Sequence, residues 1–441
     1  MSIKINRNKV ADELGRRISA STSPFHTVLY VAEDLKDNGF EELILSEKWT
    51  IKKDGKYFVK IFDSTLAAFS IGEKWEGGNF RITAAHTDFP CLKIKPEAEI
   101  SAQGCVRCNV EVYGGPILNT WLDRPLSAAG RIVIKSDNIM EPEIRYIDFK
   151  RPMFIIPNLA IHMNREVNKG IELNRQKDML PVMFAGKGAE DIRESGILIK
   201  ELADCAGVRK DDILDYELYI YPFEGQTLLG TDNSLYTAGR LDNMTSVQAC
   251  IKGIIASANS DARDNGISFT IIYDSEEIGS GTKQGAGSVI TRLVLERIYQ
   301  CLGIDEEVMK CDIVSAIGLS VDVAHAVHPN VPEKSDLTNK LYMNQGFGIK
   351  TSAAERYASD IKVIGIVKQL CEKYGILNQR YVNRSDIQGG STLGTIVVSQ
   401  LPVRMLDIGV PILAMHSARE TMGIDDQFYL EKIVEAFYKE V

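Results

Sequence analysis

The run of apolar and polar positions divides the 441-residue chain into stretches of different texture. Residues 22 to 46, "TSPFHTVLYVAEDLKDNGFEELILS", read as a helix opened by the Thr22, Ser23, Pro24 start pattern, with Val28, Val31 and Leu35 on one face and a stop near Gly39. From Lys95 to about Tyr236 come strand-like fragments broken by glycine and proline, with a polar, helix-rich stretch near 189 to 212. Beyond Gly239 helices alternate with buried strands. The chain closes on "DQFYLEKIVEAFYKEV", where Tyr429, Leu430, Ile433, Val434 and Phe437 fall at helical spacing. This pattern predicts an α/β domain split in sequence, 1–94 plus 234–441, with a smaller β-rich domain, 95–233, inserted into it.

Several apolar runs end in a residue type that binds metals. "FRITAA" ends in His86, "ISFTIIY" in Asp274 followed by Glu276 and Glu277, "DIVSAIGLSV" in Asp322, and "PILAM" in His416. Such runs look like buried parallel strands, and in open α/β sheets ligands bind beyond the carboxyl ends of the strands. Four strand ends would then deliver His, Glu, Asp and His to one crevice. Asp242, in "GRLDNMTSV", is a further candidate, although an aspartate just ahead of a helix also serves as a cap. Taken singly, each residue has a plain structural explanation as a turn-former or a hydrogen-bonded core group. Adjacent Glu276 and Glu277 resist it, because neighbouring carboxylates at the end of an apolar strand repel unless a cation or a shared proton intervenes. A set of two histidines and three carboxylates suits Zn²⁺, Mn²⁺ or Co²⁺. A pair of such ions could share one carboxylate and activate a water.

Composition narrows the classes. The 44% apolar content is that of a globular protein, and a formal charge of −9, from 60 acidic against 51 basic residues, argues against a nucleic-acid partner. No apolar leader opens the chain and no apolar run reaches the ~18 residues of a membrane span, so the expected location is the cytoplasm, with no membrane partner. Eight scattered cysteines do not form a disulfide framework. Cys105 and Cys108 make a CxxC, but no second ligand pair follows at knuckle spacing, so they read as small strand residues. "FAGKGAE" and "GSGTKQG" lack the spacing of phosphate loops and read as turns.

"AAHTDFP", "GRLDN", "DSEEIGS", "DVAHAVHPN", "IKTSAAERYAS" and "AMHSARE", in this order, resemble the aspartyl aminopeptidase family of dinuclear zinc metallopeptidases. The resemblance implies a mixed-sheet, three-layer catalytic domain interrupted by an oligomerisation or lid domain, two divalent ions per subunit, and a large homo-oligomer, a dodecamer. It implies removal of N-terminal residues, acidic ones above all and neutral apolar ones in some relatives, from peptide substrates. His86 and Asp322 would hold one metal, Glu277 and His416 the other, and Asp242 would bridge them. Glu276 would be the general base for a metal-bridging water and Asp88 would orient His86. His162, reaching into a neighbouring subunit, with His325, Lys350 and Tyr357, would contact substrate. The alternative for Lys350 is an ordinary solvated lysine. Phe89, Ser275 and Val323 depart from the family's usual residues and leave the preferred substrate open. Two other functions compete: a dinuclear deacylase or carboxypeptidase, which would want a guanidinium clamp for the substrate's carboxylate, and a catalytically silent shell-forming scaffold, whose mark would be the loss of Glu276.

Overall fold

The computed structural model describes residues 5–186, 196–260 and 266–440. The chain forms two compact units: Met1–Asp88, Gln226–Met415 and Glu420–Val441 make the first, and Phe89–Gly225 with His416–Arg419 the second.

The first unit is built on a mixed nine-stranded sheet in the order Glu41–Leu43, Lys56–Ile61, Thr65–Ile71, Ile267–Tyr273, Phe80–His86, Ile317–Val321, Arg404–Gly409, Phe347–Lys350, Asn378–Tyr381. The strands Ile267–Tyr273, Phe80–His86, Ile317–Val321 and Arg404–Gly409 run parallel. Every residue of Thr65–Ile71 and Ile267–Tyr273 is buried, which is why these strands read as unbroken apolar runs rather than alternating ones. One face packs a core with the helices Arg7–Ala20, Pro24–Asp37, Leu241–Ala258, Ile361–Tyr374 and Ile424–Lys439; the other packs a second core with Ile290–Cys301, Glu306–Ser315 and Leu393–Gln400. The result is a helix–sheet–helix sandwich. The helix Pro24–Asp37 starts as its sequence dictates, with the Ser23 side chain accepting the His26 N–H, Pro24 in the first turn, and Gly39 at φ 81° just past its end.

Two sequence expectations need correction here. "PILAM" is not a strand of the central sheet: Pro411–Leu413 belongs to a separate five-stranded sheet with Thr227–Leu229, Leu235–Ala238, Glu420–Gly423 and Ala324–His325. A three-residue apolar strand carries no period that says which sheet it joins. "DIVSAIGLSV" is part helix, since Glu306–Ser315 runs through its first residues and the strand begins only at Ile317.

The second unit is a six-stranded antiparallel sheet: Glu143–Asp148, Leu126–Ile134, Ile213–Pro222, Cys91–Ala102, Cys105–Tyr113, Val182–Ala185. Cys105 and Cys108 lie three apart on one strand and so face opposite sides of it. Of the polar stretch near 189 to 212, Ile197–Ala206 is a helix, and residues 187–195 lie outside the described part, as does most of "FAGKGAE".

Gly409 ends the strand Arg404–Gly409 beside Asp322, and a Cβ there would collide with the Asp322 carbonyl. Gly409→Ala is therefore expected to force two core strands apart and cost about 1–3 kcal/mol. Chemical denaturation checks this, and an unchanged midpoint would show that the strands yield freely.

Candidate metal centre

Three neighbouring parallel strands bring their carboxyl ends to one level. Tyr273 pairs with His86 and Ser320 with Ala84, so the residues that follow the two outer strands lie alongside His86 at the end of the middle one. Asp322 comes just past one outer strand, and Glu276 and Glu277 occupy a 3-10 turn just past the other. Asp242 arrives from the opening of the helix Leu241–Ala258, where it and Asn243 are not yet helical. That opening is pinned from two sides: the Asn243 amide donates to the Val321 carbonyl at 3.0 Å, and the Asp242 N–H donates to Glu420 Oε2 at 3.0 Å.

His86 is 1% exposed and ringed by carboxylates. Its Nε2 lies 3.3 Å from Asp242 Oδ1 and 3.6 Å from Asp322 Oδ1. Its Nδ1 lies 3.1 Å from the Asp88 carbonyl oxygen and 3.4 Å from Asp88 Oδ1. The carboxylate of Asp88, wholly buried, also accepts the backbone N–H of Glu276 at 3.1 Å and of Glu277 at 3.0 Å, so one residue, through its carbonyl and its carboxylate, supports both the imidazole and the turn that carries the glutamate pair. Donor atoms of His86, Asp242 and Asp322 fall within 4.8 Å of one another, and so do those of His86, Glu276 and Glu277.

The electrostatics follow from burial and crowding. Burial alone would push the imidazole's pKa down, but bonding to Asp242, Asp322 and Asp88 and the charge of Glu276 carry it well above its ordinary value. Burial pushes the Glu276 carboxyl up to about 8; His86 opposes this, while Asp322, Asp88 and Asp242 add to it. Asp274, buried beside Asp88, is pushed up to about 6. An imidazole inside a ring of carboxylates is a donor set suited to zinc, which binds a histidine through its neutral ring. The residues fit such an ion.

The other sequence candidates differ in burial. Lys350 is not a solvated lysine: it is 1% exposed, its Nζ 3.7 Å from Asp322 Oδ2 and 5.3 Å from the centre of the Tyr357 ring. Tyr357 is buried, and its hydroxyl accepts the Asn383 amide at 2.8 Å. His325 is exposed at the end of Ala324–His325, its ring 6.5 Å from that of Tyr381. His162 sits exposed on the turn Ile161–Met163 of the second unit. His416 also belongs to the second unit, half-buried at φ 68°, with Nδ1 3.1 Å from the Gly115 carbonyl oxygen. Sequence reasoning missed Glu420, which holds the Asp242 backbone, and Asp407, fully buried in "RMLDIG". The sign that could have found Asp407 is a lone acid inside an apolar run.

The family model described as aminopeptidase I zinc metalloprotease (M18) matches residues 17–438. The chain belongs to this M18 family. Similar M18 proteins include a probable M18 family aminopeptidase 2 of Clostridium novyi, 43% identical over 436 residues that cover 98% of this chain and 99% of the relative. Among solved structures, the cryo-EM structure of the Ape4 and Nbr1 complex superposes with a TM-score of 0.93 at 30% identity, over 100% of this chain and 88% of that one. The S. cerevisiae mApe1 dodecamer superposes with a TM-score of 0.84 at 26% identity, over 99% and 98% of the two chains. As an M18 protein the chain is a metal-dependent aminopeptidase, a hydrolase of peptide bonds, which displaces the deacylase reading. Its fold is the mixed α/β fold of the solved M18 structures. Among the described residues no helix is long and apolar enough to cross a membrane.

Because Asp88 supports both His86 and the glutamate turn, Asp88→Asn is expected to leave the fold intact while lowering zinc affinity and kcat/KM by about 10–100-fold. Zinc titration beside steady-state kinetics measures both, and a variant with unaltered metal binding would show that Asp88 does not orient the histidine.

Proposed function

We propose that this aminopeptidase releases N-terminal residues, acidic ones preferentially, from peptides at a centre of two divalent cations, zinc foremost, with Mn²⁺ or Co²⁺ able to substitute. The observation that carries the reading is the ring of Asp88, Asp242 and Asp322 around buried His86, with the Glu276 and Glu277 turn tied to Asp88. His86 and Asp322 would hold one ion, Glu277 and His416 the other, with Asp242 shared between them. When bound, the ions supply Lewis acidity, making water acidic near neutral pH and polarising the scissile carbonyl. Glu276 takes the proton of the attacking water and returns it to the leaving amine, which requires a carboxylate held close to the donor cluster but left out of the ligand set. Asp88 holds the His86 ring in one orientation through Nδ1, leaving Nε2 toward Asp242 and Asp322.

Lys350 and Tyr357 would form the wall that meets the substrate's first side chain, with His325 nearby. A buried ammonium favours a carboxylate partner over an apolar one, which supports the acidic preference. His162 would complete the site from a neighbouring subunit, and the chain would assemble as a homo-oligomer, a dodecamer such as that of S. cerevisiae mApe1, with the second unit serving as oligomerisation or lid domain. The scattered cysteines fit a cytoplasmic setting.

Two substitutions separate the roles. Glu276→Gln should retain its zinc and lose activity by about 10²–10⁴-fold, the contribution of a general base. His416→Ala should lose zinc and activity together. Metal analysis and peptide assays on both purified variants decide it: equal zinc loss in the two would show that Glu276 is a ligand rather than the base. Stripping zinc with a chelator should abolish turnover and lower the melting temperature, because an ion that binds only the folded state stabilises it; re-addition should restore both.

A further inference from the structure

Lys350 faces a second acid that the proposed reaction does not use. The strands Phe347–Lys350 and Arg404–Gly409 pair antiparallel, with Gly348 opposite Gly409 and Ile349 opposite Ile408, and the next step of that register sets Lys350 level with Asp407. Facing residues of an antiparallel pair share one side of the sheet with their Cβ atoms about 5 Å apart. Both are sealed from solvent, Lys350 at 1% and Asp407 at 0% exposure. The Ala358 N–H donates to Asp407 Oδ2 at 2.5 Å, and the Asp407 N–H donates to the Ala358 carbonyl at 2.8 Å, which fixes both the carboxylate and the chain next to Tyr357. Ser320, in register with Asp407 on the next strand, leads directly to Asp322. On the far side Gly394 leaves room for the acid, since a Cβ there would stand 2.7 Å from Asp407 Oδ2 and 2.8 Å from Ser320 Oγ. Burial pushes the Asp407 carboxyl up to about 6, and the charge of Lys350 is the first influence pulling it back.

A lysine sealed in a core needs a counter-ion, and its stem needs a fixed direction. Asp322 alone cannot serve, because a carboxylate that also faces His86 is shared with the metal centre. We propose that Asp407 is the positioning residue for acid selectivity: it anchors the Lys350 ammonium from within the sheet, so that the head of the side chain stays aimed at the carboxylate of an acidic N-terminal residue. This rests on the reading of Lys350 as a substrate contact.

The test uses the full-length, zinc-loaded enzyme and compares kcat/KM on aspartyl and leucyl p-nitroanilides for Lys350→Ala, Asp407→Asn, Gly394→Ala and the Lys350→Ala/Asp407→Asn double variant. Gly394→Ala crowds the same carboxylate without removing it and carries the test if Asp407→Asn does not fold. Asp407→Asn and Gly394→Ala should each lower the aspartyl-to-leucyl ratio by about tenfold, chiefly through a higher KM for the aspartyl substrate, as the loss of a charged hydrogen bond would. The double variant should be no less selective than Lys350→Ala alone. If Lys350→Ala lowers the ratio while the Asp407 and Gly394 variants leave it unchanged, the positioning role is overturned and Lys350 remains a substrate contact. If Lys350→Ala itself leaves the ratio unchanged, the reading of Lys350 fails and takes the positioning role with it.

Discussion

The constraint on which the first unit depends is the burial of like charge. Asp88, Asp242 and Asp322 all approach one imidazole that water does not reach, and Glu276 stands against the same group. Two unit charges 4 Å apart repel by about 4 kcal/mol at an effective dielectric of 20, and each buried carboxylate adds a desolvation cost of its own. His86 and Lys350 offset part of this negative charge and cannot offset all of it. The site makes physical sense as a receptor for divalent cations, in keeping with a zinc metalloprotease family.

The fold accommodates that charge by making the backbone carry the positions. Three parallel strands in tight register decide that His86, Asp322 and the glutamate turn meet at one edge, and the cores on both faces of the sheet resist any slip between them. Groups that are not themselves strand ends are tied by directed hydrogen bonds: Asp242 through Glu420, Asn243 to Val321, the glutamate turn through Asp88. Geometry of this kind survives the mutual repulsion of its members because each is held from behind by apolar packing or by an amide.

Much of this was legible in the sequence because the signals are local. An apolar run that stops at a histidine or an acid marks a strand end, so His86, Asp322 and the glutamate pair stood out, and the Ser23-Pro24 helix start was equally plain. What was not legible depends on partners far away in the chain. Nothing in "PILAM" tells which of two sheets will take it, and the short apolar segment before Ile317 suits a helix end as well as a strand. Burial of Lys350 is invisible locally, because a lysine is solvated by default and only the acids of two other strands change that. Glu420 and Asp407 were missed for the same reason: their work is done on residues more than fifty positions away, Asp242 in one case and Lys350 in the other.

The placement of Asp322 has a consequence for how activity and selectivity can change separately. Its two carboxylate oxygens face different partners, Oδ1 toward His86 and Oδ2 toward Lys350, so in the proposed reaction one group would serve the metal centre and the wall of the pocket at once. A substitution at Asp322 therefore alters both, and no assay of it alone can assign either role. Asp407 and Tyr357 differ, since the strand register sets Asp407 level with Lys350 and the Tyr357 ring lies 5.3 Å from the lysine's Nζ, whereas His86 is ringed by Asp88, Asp242 and Asp322, so a change at either reaches the lysine while the ring of acids around the histidine keeps its members. If acid preference varies on this scaffold while catalysis is retained, one physical route lies through the residues behind Lys350, because a change there moves the ammonium without adding or removing charge beside His86.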